Sequence, residues 1–290
     1  MRKYEYYKPD TLERAWEFKL TKSESMFVAG ATDVFVKIKN GVIKPSALIS
    51  LLGIESLRGV SITDDESGIE IGGTTTIREI QSSPAITSKY PVLSEAISKL
   101  GSVQVRNIAT IGGNLCNASP CADTAPPLIV LGAKLKLESP SGKREMPVEE
   151  FFKGPGETSA TSQEILTKIF LPPPVLNAKF AFYKKGRVKM DLAIASLAVL
   201  MELDGDICKT IKIAAGSVAP VPLRLKNVEK FIEGKKITQD VIEHAGVMAS
   251  KEVAPITDIR AGEQYRRKLI ETFLKRFLME SIEKKEKEAN

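Results

Sequence analysis

The chain has 290 residues, enough for one large domain or two with a sizeable core. Apolar residues make up 43% and charged residues 27%, an ordinary globular balance. The net charge of +6 is spread along the chain with no aromatic-basic cluster, so a nucleic-acid surface has no support.

Tyr4 to Tyr7 reads as an edge strand and Thr11 to Leu20 as a helix capped by Asp10 or Thr11. Met26 to Ala29 is a short apolar strand. Thr32 or Asp33 then caps a helix with Val34, Phe35 and Ile38 on one face, stopped by Gly41. Ala47 to Ser50 is another strand. Gly68 to Ile80 reads as a strand, a glycine turn and a helix start, with Thr74 to Thr76 as caps. Pro91 to Leu100 is a helix with Val92, Ala96 and Leu100 on one side.

After a Pro-rich passage, Leu135 to Leu137 and Glu164 to Leu171 are strands. Pro172 to Pro174 cannot continue a ladder and mark a boundary. Lys179 to Tyr183, Ala193 to Leu203 and Lys209 to Ser217 form an antiparallel meander turning at Asp204-Gly205. Val228 to Lys287 is helical in pattern, and its mixed Lys and Glu over Glu283 to Glu288 read as a frayed, solvated end.

No stretch approaches the ~18 apolar residues of a membrane span, and MRKYEYYKPD has no apolar core of the signal-peptide kind. Cys116, Cys121 and Cys208 are an odd, sparse set that fits a reducing interior. The expected location is cytoplasmic. His244 is the only histidine and sits in a predicted helix among surface-type residues. A Ser-His-Asp triad or a multi-histidine metal site is therefore excluded. No catalytic side chain and no metal ligand is expected, and the chemistry falls to a cofactor.

Two glycine segments stand out, AGATD (Ala29 to Asp33) and TIGGNLCNASPCAD (Thr110 to Asp123). Each follows a predicted strand, and their residues are too small to keep a ligand from the backbone. Free N–H groups in such turns form a concave anion site, reinforced where a helix begins. Two of them on separate elements suggest a clamp around a diphosphate; taken singly, each also fits an ordinary structural turn. No G-x-G-x-x-G opens a helix after a strand, and no P-loop is present.

The blocks AGATDVFVKIKNG, IGGTTTIREI, GSVQVRNIATIGGNLCNASPCADTAPPL, YKKGRVKMDLAIASLAV, GSVAPVPLR and DIRAGEQYRRKL follow one another along the whole chain. In that order they resemble the FAD-binding medium subunit of the molybdenum hydroxylases, the group of xanthine dehydrogenase and aerobic carbon monoxide dehydrogenase. R-N-x-x-T-I-G-G-N-L is the most specific element. The resemblance implies an α+β fold of the vanillyl-alcohol oxidase type, with two subdomains over about 1–55 and 56–174. A C-terminal domain of three antiparallel strands and a helical cluster follows over 175–290.

By the same resemblance, Val28, Ala29, Gly30, Ala31, Thr32 and Asp33 hold the FAD diphosphate together with Thr110, Ile111, Gly112, Gly113 and Asn114. They do so through backbone N–H groups and the Thr32 and Thr110 hydroxyls. Asp123 matches an aspartate that bonds the sugar or adenine end, though a turn carboxylate reads the same way. Leu166 and Leu100 match positions packed on the ring system, where a plain core leucine is the alternative, and Thr74 is a further contact. KKGRVKMD is one residue shorter than the commonest form of its motif. Either Lys184 or Lys185 is then the cation near the flavin, with Tyr183 shielding a ring face; a solvated strand end is the alternative. An iron–sulfur cluster needs about four cysteines, so Cys116 and Cys121 are read as small residues packed near the cofactor. Covalent attachment through His244 is not expected, so FAD is non-covalent.

The resemblance implies an electron-transfer subunit, with molybdopterin on a large partner and 2Fe–2S clusters on a small one. The assembly would be a heterotrimer or a dimer of heterotrimers, and the external acceptor is left open. The alternatives are a stand-alone FAD-dependent oxidase and a flavin-free assembly scaffold.

Overall fold

The computed structural model describes residues 4–63 and 67–288, with side chains as far as Ile282. The chain begins β1 (Glu5–Tyr7), α1 (Leu12–Thr21), β2 (Ser25–Val28), α2 (Val34–Lys39), β3 (Ala47–Ser50), β4 (Val60–Ile62) and β5 (Ile69–Gly72). A helical run follows: α3 (Ile77–Gln81), α4 (Pro84–Lys89), α5 (Pro91–Ser98), α6 (Val103–Ile108), α7 (Ile111–Cys116) and α8 (Ala125–Val130). Next come β6 (Lys134–Ser139), β7 (Gly142–Pro147), β8 (Phe152–Gly154), β9 (Glu157–Thr158) and β10 (Ile165–Leu171). The last stretch is β11 (Lys179–Lys185), β12 (Ala195–Asp204), β13 (Ile207–Gly216), β14 (Leu223–Arg224), α9 (Lys226–Ile232), α10 (Gln239–Glu252) and α11 (Glu263–Glu288). The expected solvated tail over Glu283 to Glu288 concerns side chains outside those described.

The helix starts follow local chemistry. Thr11 caps α1 by accepting from the Arg14 N–H. Thr76 and Glu79 form a reciprocal capping box on α3, satisfying two orphan amides at once. The Pro-rich passage becomes α8, because proline is tolerated where a helix has no N–H to donate. The strand expected just before Thr110 is instead a helix, α6, which Ser102 starts by accepting from the Val105 N–H; α6 and α7 are each only six residues long.

Val34, Phe35 and Ile38, read as one face of a helix, do fall on α2, but no residue of α2 is buried and Phe35 is 45% exposed. Asp33 occupies the cap position with φ −92° and ψ −38°, and its side chain makes no cap bond. A six-residue helix presents fewer than two turns, too few to define an inward stripe.

Contacts sort the chain into two units. The first is Met1–Ser83, Ser102–Ala118 and Ala133–Pro173; the second is Pro84–Gly101, Ser119–Gly132 and Pro174–Asn290. The first unit holds a parallel sheet in the order β1-β3-β2 and an antiparallel sheet in the order β4-β5-β10-β6-β7. Ala15, Ile49, Leu51, Ile54, Leu57 and Ile165 make one of its cores.

The second unit is built on the antiparallel sheet β11-β12-β13-β14, in which a two-residue β14 extends the three expected strands. Gly205 takes φ +56° in the β12–β13 hairpin, as the Asp-Gly turn requires. Leu197, Val199 and Met201 of β12 pack in one core with Ile242 of α10 and with Ile270 and Leu274 of α11. Ser196 and Ala198 on the other face are also buried, where α8 lies on β12 and β13. A strand covered on both faces has no polar alternation, and close helix approach explains why it is rich in alanine.

Candidate functional site

In the first unit, β2 ends at Val28 and the chain turns through Ala29 to Asp33 into α2. Ala31 adopts φ +54°, a left-handed conformation rare outside glycine. A left-handed residue in a turn directs successive N–H groups toward one concavity. The amides of Gly30, Ala31, Thr32 and Asp33 have no acceptor among the described residues. Gly30 packs so closely that a Cβ there would lie 2.1 Å from the Ile108 carbonyl oxygen. The loop is thus pressed against the end of α6.

The whole segment from Val28 to Asp33 lines a cavity of about 310 Å³, with Thr110, Gly113 and Asn114 on its wall. A second cavity of about 220 Å³ shares Val28, Ala29 and Gly113, and adds Thr74, Gly112 and Leu166. Within the first unit the structure therefore brings AGATD together with the Thr110 to Asn117 part of the second segment, with Thr74 and Leu166 beside them, while Asp123 falls in the second unit.

The two segments are not equivalent. Thr110 caps α7, its hydroxyl accepting from the Gly113 N–H at 3.1 Å. The other amides are also engaged: Ile111 with Thr75 O at 3.0 Å, Gly112 with Gly73 O and Asn114 with Thr110 O, both at 2.9 Å. Ile111 is fully buried and lines neither cavity. The Thr74 hydroxyl donates to Leu57 O at 2.9 Å. AGATD offers open donors, whereas TIGGN spends its amides on its own fold and gives the cavity a wall and the Thr110 O–H.

Two residues that the sequence did not single out also line the larger cavity, Lys37 and Asn117. The available signal was local: Lys37 stands four residues after Asp33 on α2, one turn beyond the open loop.

In the second unit, Lys184 Nζ donates to Asp123 Oδ2 at 2.6 Å and to the Lys99 carbonyl oxygen at 2.9 Å. Burial pushes the Asp123 carboxyl up to about 6, against the opposing pull of the Lys184 cation. Among the described residues, Asp123 Oδ1 is buried with no hydrogen-bond partner. Leu100 follows Lys99 in sequence and is itself buried.

Successive residues of a strand point to opposite faces, which separates Tyr183 from Lys184. The Tyr183 ring stacks on Phe273 of α11 at 5.4 Å, and its hydroxyl donates to Glu280 at 2.9 Å. Lys185 is exposed, while Lys184 is the lysine turned toward Asp123. His244 lies exposed on α10.

A family model described as the FAD binding domain in molybdopterin dehydrogenase matches residues 2–174, and one for the CO dehydrogenase flavoprotein C-terminal domain matches 180–281. The chain belongs to this FAD-binding molybdopterin dehydrogenase family. The glyceraldehyde dehydrogenase medium chain of Sulfolobus acidocaldarius is 32% identical over 92% of this chain and 94% of its own length. A xanthine dehydrogenase FAD-binding subunit from Escherichia coli O157:H7 is 29% identical over 96% of this chain and 95% of that one. Among solved structures, carbon monoxide dehydrogenase from Hydrogenophaga pseudoflava aligns with a TM-score of 0.91 and 29% identity, covering 95% of this chain and 96% of the other.

Membership of the FAD-binding family makes this an oxidoreductase subunit of the molybdenum hydroxylases with FAD as its cofactor. The residues present fit that group. Open amides on a cavity wall suit a diphosphate, and a buried carboxylate oxygen without a donor suits a sugar hydroxyl or an adenine amine. Among the described residues no helix is long and apolar enough to cross a membrane.

Proposed function

We propose that this family member is the electron-transfer subunit of a multi-subunit molybdenum hydroxylase. Its partners would be a large molybdopterin subunit and a small iron–sulfur subunit in a heterotrimer or a dimer of heterotrimers. Electrons from the partner's 2Fe–2S clusters would leave through this subunit to an external acceptor. The domain division is proposed as 1–174 for FAD binding, with subdomains parting near residue 55, and 175–290 for the C-terminal domain. A cytoplasmic location completes the reading.

One observation carries it: the open amides from Gly30 to Asp33 line a cavity in a chain that matches the FAD-binding family along most of its length. FAD, when bound, supplies a ring able to take electrons singly and deliver them in pairs. This chain's own part is to bind and orient. The amides of Gly30 to Asp33 and the Thr32 hydroxyl take the diphosphate oxygens, and the Thr110 O–H is a further donor. Lys184 fixes the Asp123 carboxylate through Oδ2 and leaves Oδ1 as an acceptor. Leu166 provides an apolar surface on the smaller cavity.

The test is purification of the native assembly with counting of FAD, molybdenum and iron per copy of this chain, alongside the isolated chain. The expected isolated chain is yellow, releases one FAD on denaturation and oxidises no organic substrate alone. A colourless chain, or a lone chain that turns over an organic substrate, overturns the proposal.

A further inference from the structure

Among the described residues, two charged side chains line the cavity of about 310 Å³, Asp33 and Lys37. Asp33 is exposed at the head of α2, and Lys37 is half-buried on the same helix. The Lys37 ammonium donates to Asn117 Oδ1 at 2.7 Å, and no carboxylate pairs with it among the described residues. Its backbone is pinned at both ends, donating to Asp33 O at 3.0 Å and accepting from Val42 N–H at 2.9 Å. Asn117 is fixed in turn by its own N–H on Gly113 O at 3.0 Å. The ammonium therefore hangs from the helix behind one glycine segment and is steadied by the residue that ends the helix behind the other.

We infer that Lys37 is the cation that receives a phosphate of the bound dinucleotide in this cavity, with Asn117 as its positioning residue. This rests on the FAD reading above and adds to it a charged contact outside both glycine segments. An ammonium has three donors, and a neutral amide takes one without neutralising the charge. A doubly negative diphosphate seated on the amides of Gly30 to Asp33 supplies what is missing. Charge-assisted bonds of this kind are about twice as strong as neutral ones. Asp33, also on this wall, opposes an anion, which makes a cation there more consequential. The ligand class is thus an organic diphosphate, and a flavin without phosphate gains nothing from Lys37.

The experiment measures binding of FAD, ADP and riboflavin to the flavin-stripped full chain by calorimetry, at low and high salt. Lys37→Met is expected to weaken FAD and ADP by about tenfold, to flatten their salt dependence and to leave riboflavin unchanged. Lys37→Arg should retain affinity within about threefold, and Asn117→Ala, which keeps the cation but frees it, should fall between wild type and Lys37→Met. FAD and ADP affinities within twofold of wild type in Lys37→Met overturn the inference, and should that variant not fold, wild-type affinity in Asn117→Ala does so. Failure of the FAD reading looks different: wild type itself then binds no FAD, while its affinity for ADP still reports on Lys37.

Discussion

Lys184 Nζ meets Asp123 Oδ2 at 2.6 Å, and each side chain is only 5% exposed. Two charges so far from water are held by each other, and removing one strands the other. Lys184→Met is expected to cost about 3 kcal/mol of stability at pH 8, in the range for broken buried pairs. At pH 5 the stranded carboxyl takes up a proton and the loss shrinks. Lys184→Met combined with Asp123→Asn should recover most of the difference. Urea denaturation of the four proteins at both pH values gives the coupling energy directly.

Asp123 alone sets a second pH effect. Its carboxyl is raised from 3.8 to about 6, so the folded chain binds a proton more readily than the unfolded one in that window. Stability from this group is therefore fully present below about pH 4 and declines as pH rises to about 6. Above that it is level. Two pH units correspond to roughly 3 kcal/mol as an upper figure. The stability of Asp123→Asn minus that of wild type should climb between pH 4 and 6 and then flatten. A flat difference across that window would show an unperturbed carboxyl.

The open loop depends on two backbone positions. A Cβ at Gly30 would lie 2.1 Å from Ile108 O, so Gly30→Ala must push the loop off α6. The expected cost is about 1–3 kcal/mol with loss of FAD from the purified chain. Ala31 at φ +54° responds differently. Ala31→Gly relieves the left-handed strain but frees the unfolded chain, and should stay within about 0.5 kcal/mol of wild type. Ala31→Val, with a branched side chain in that conformation, should lose more. Thermal melts and flavin content separate the three.

How much of this was legible beforehand depended on whether the deciding contact was local. AGATD, the Thr76 cap and the Asp204-Gly205 turn are read from a few adjacent residues, and they formed where expected. The role of TIGGN was only half legible, because the partners that occupy its amides, Gly73 and Thr75, come from a different segment. The helix carrying Val34, Phe35 and Ile38 was legible, but that a six-residue α2 leaves them unburied was not. Lys184 and Tyr183 looked like one cluster in sequence, and the strand alternation parted them. Lys37 went unnoticed because its partner lies 80 residues away.

Arg266 offers the sharpest test of the second unit's architecture. The side chain is 3% exposed; Nη1 donates to Ile194 O at 2.8 Å and to Ser217 O at 2.9 Å, and Nη2 to Asp258 Oδ1 at 2.6 Å. One guanidinium thus ties the start of α11 to the entrance of β12 and the exit of β13. Ser217 also has φ +64°, and its N–H donates to Pro120 O at 2.8 Å, close in sequence to Asp123. Arg266→Met leaves the Ile194 and Ser217 carbonyls without this donor, while Asp258 keeps the Arg260 and Ala261 N–H groups and the Arg260 guanidinium, at an expected cost of about 2–3 kcal/mol. Arg266→Lys keeps the charge but cannot span three acceptors with a single nitrogen, and should recover less than half of the loss. Because Ser217 holds Pro120, the same variants should raise hydrogen exchange at Ser217 and over residues 119–123 more than at Gly30 to Asp33. Equal protection changes in both places would mean that Arg266 supports the fold at large rather than this loop.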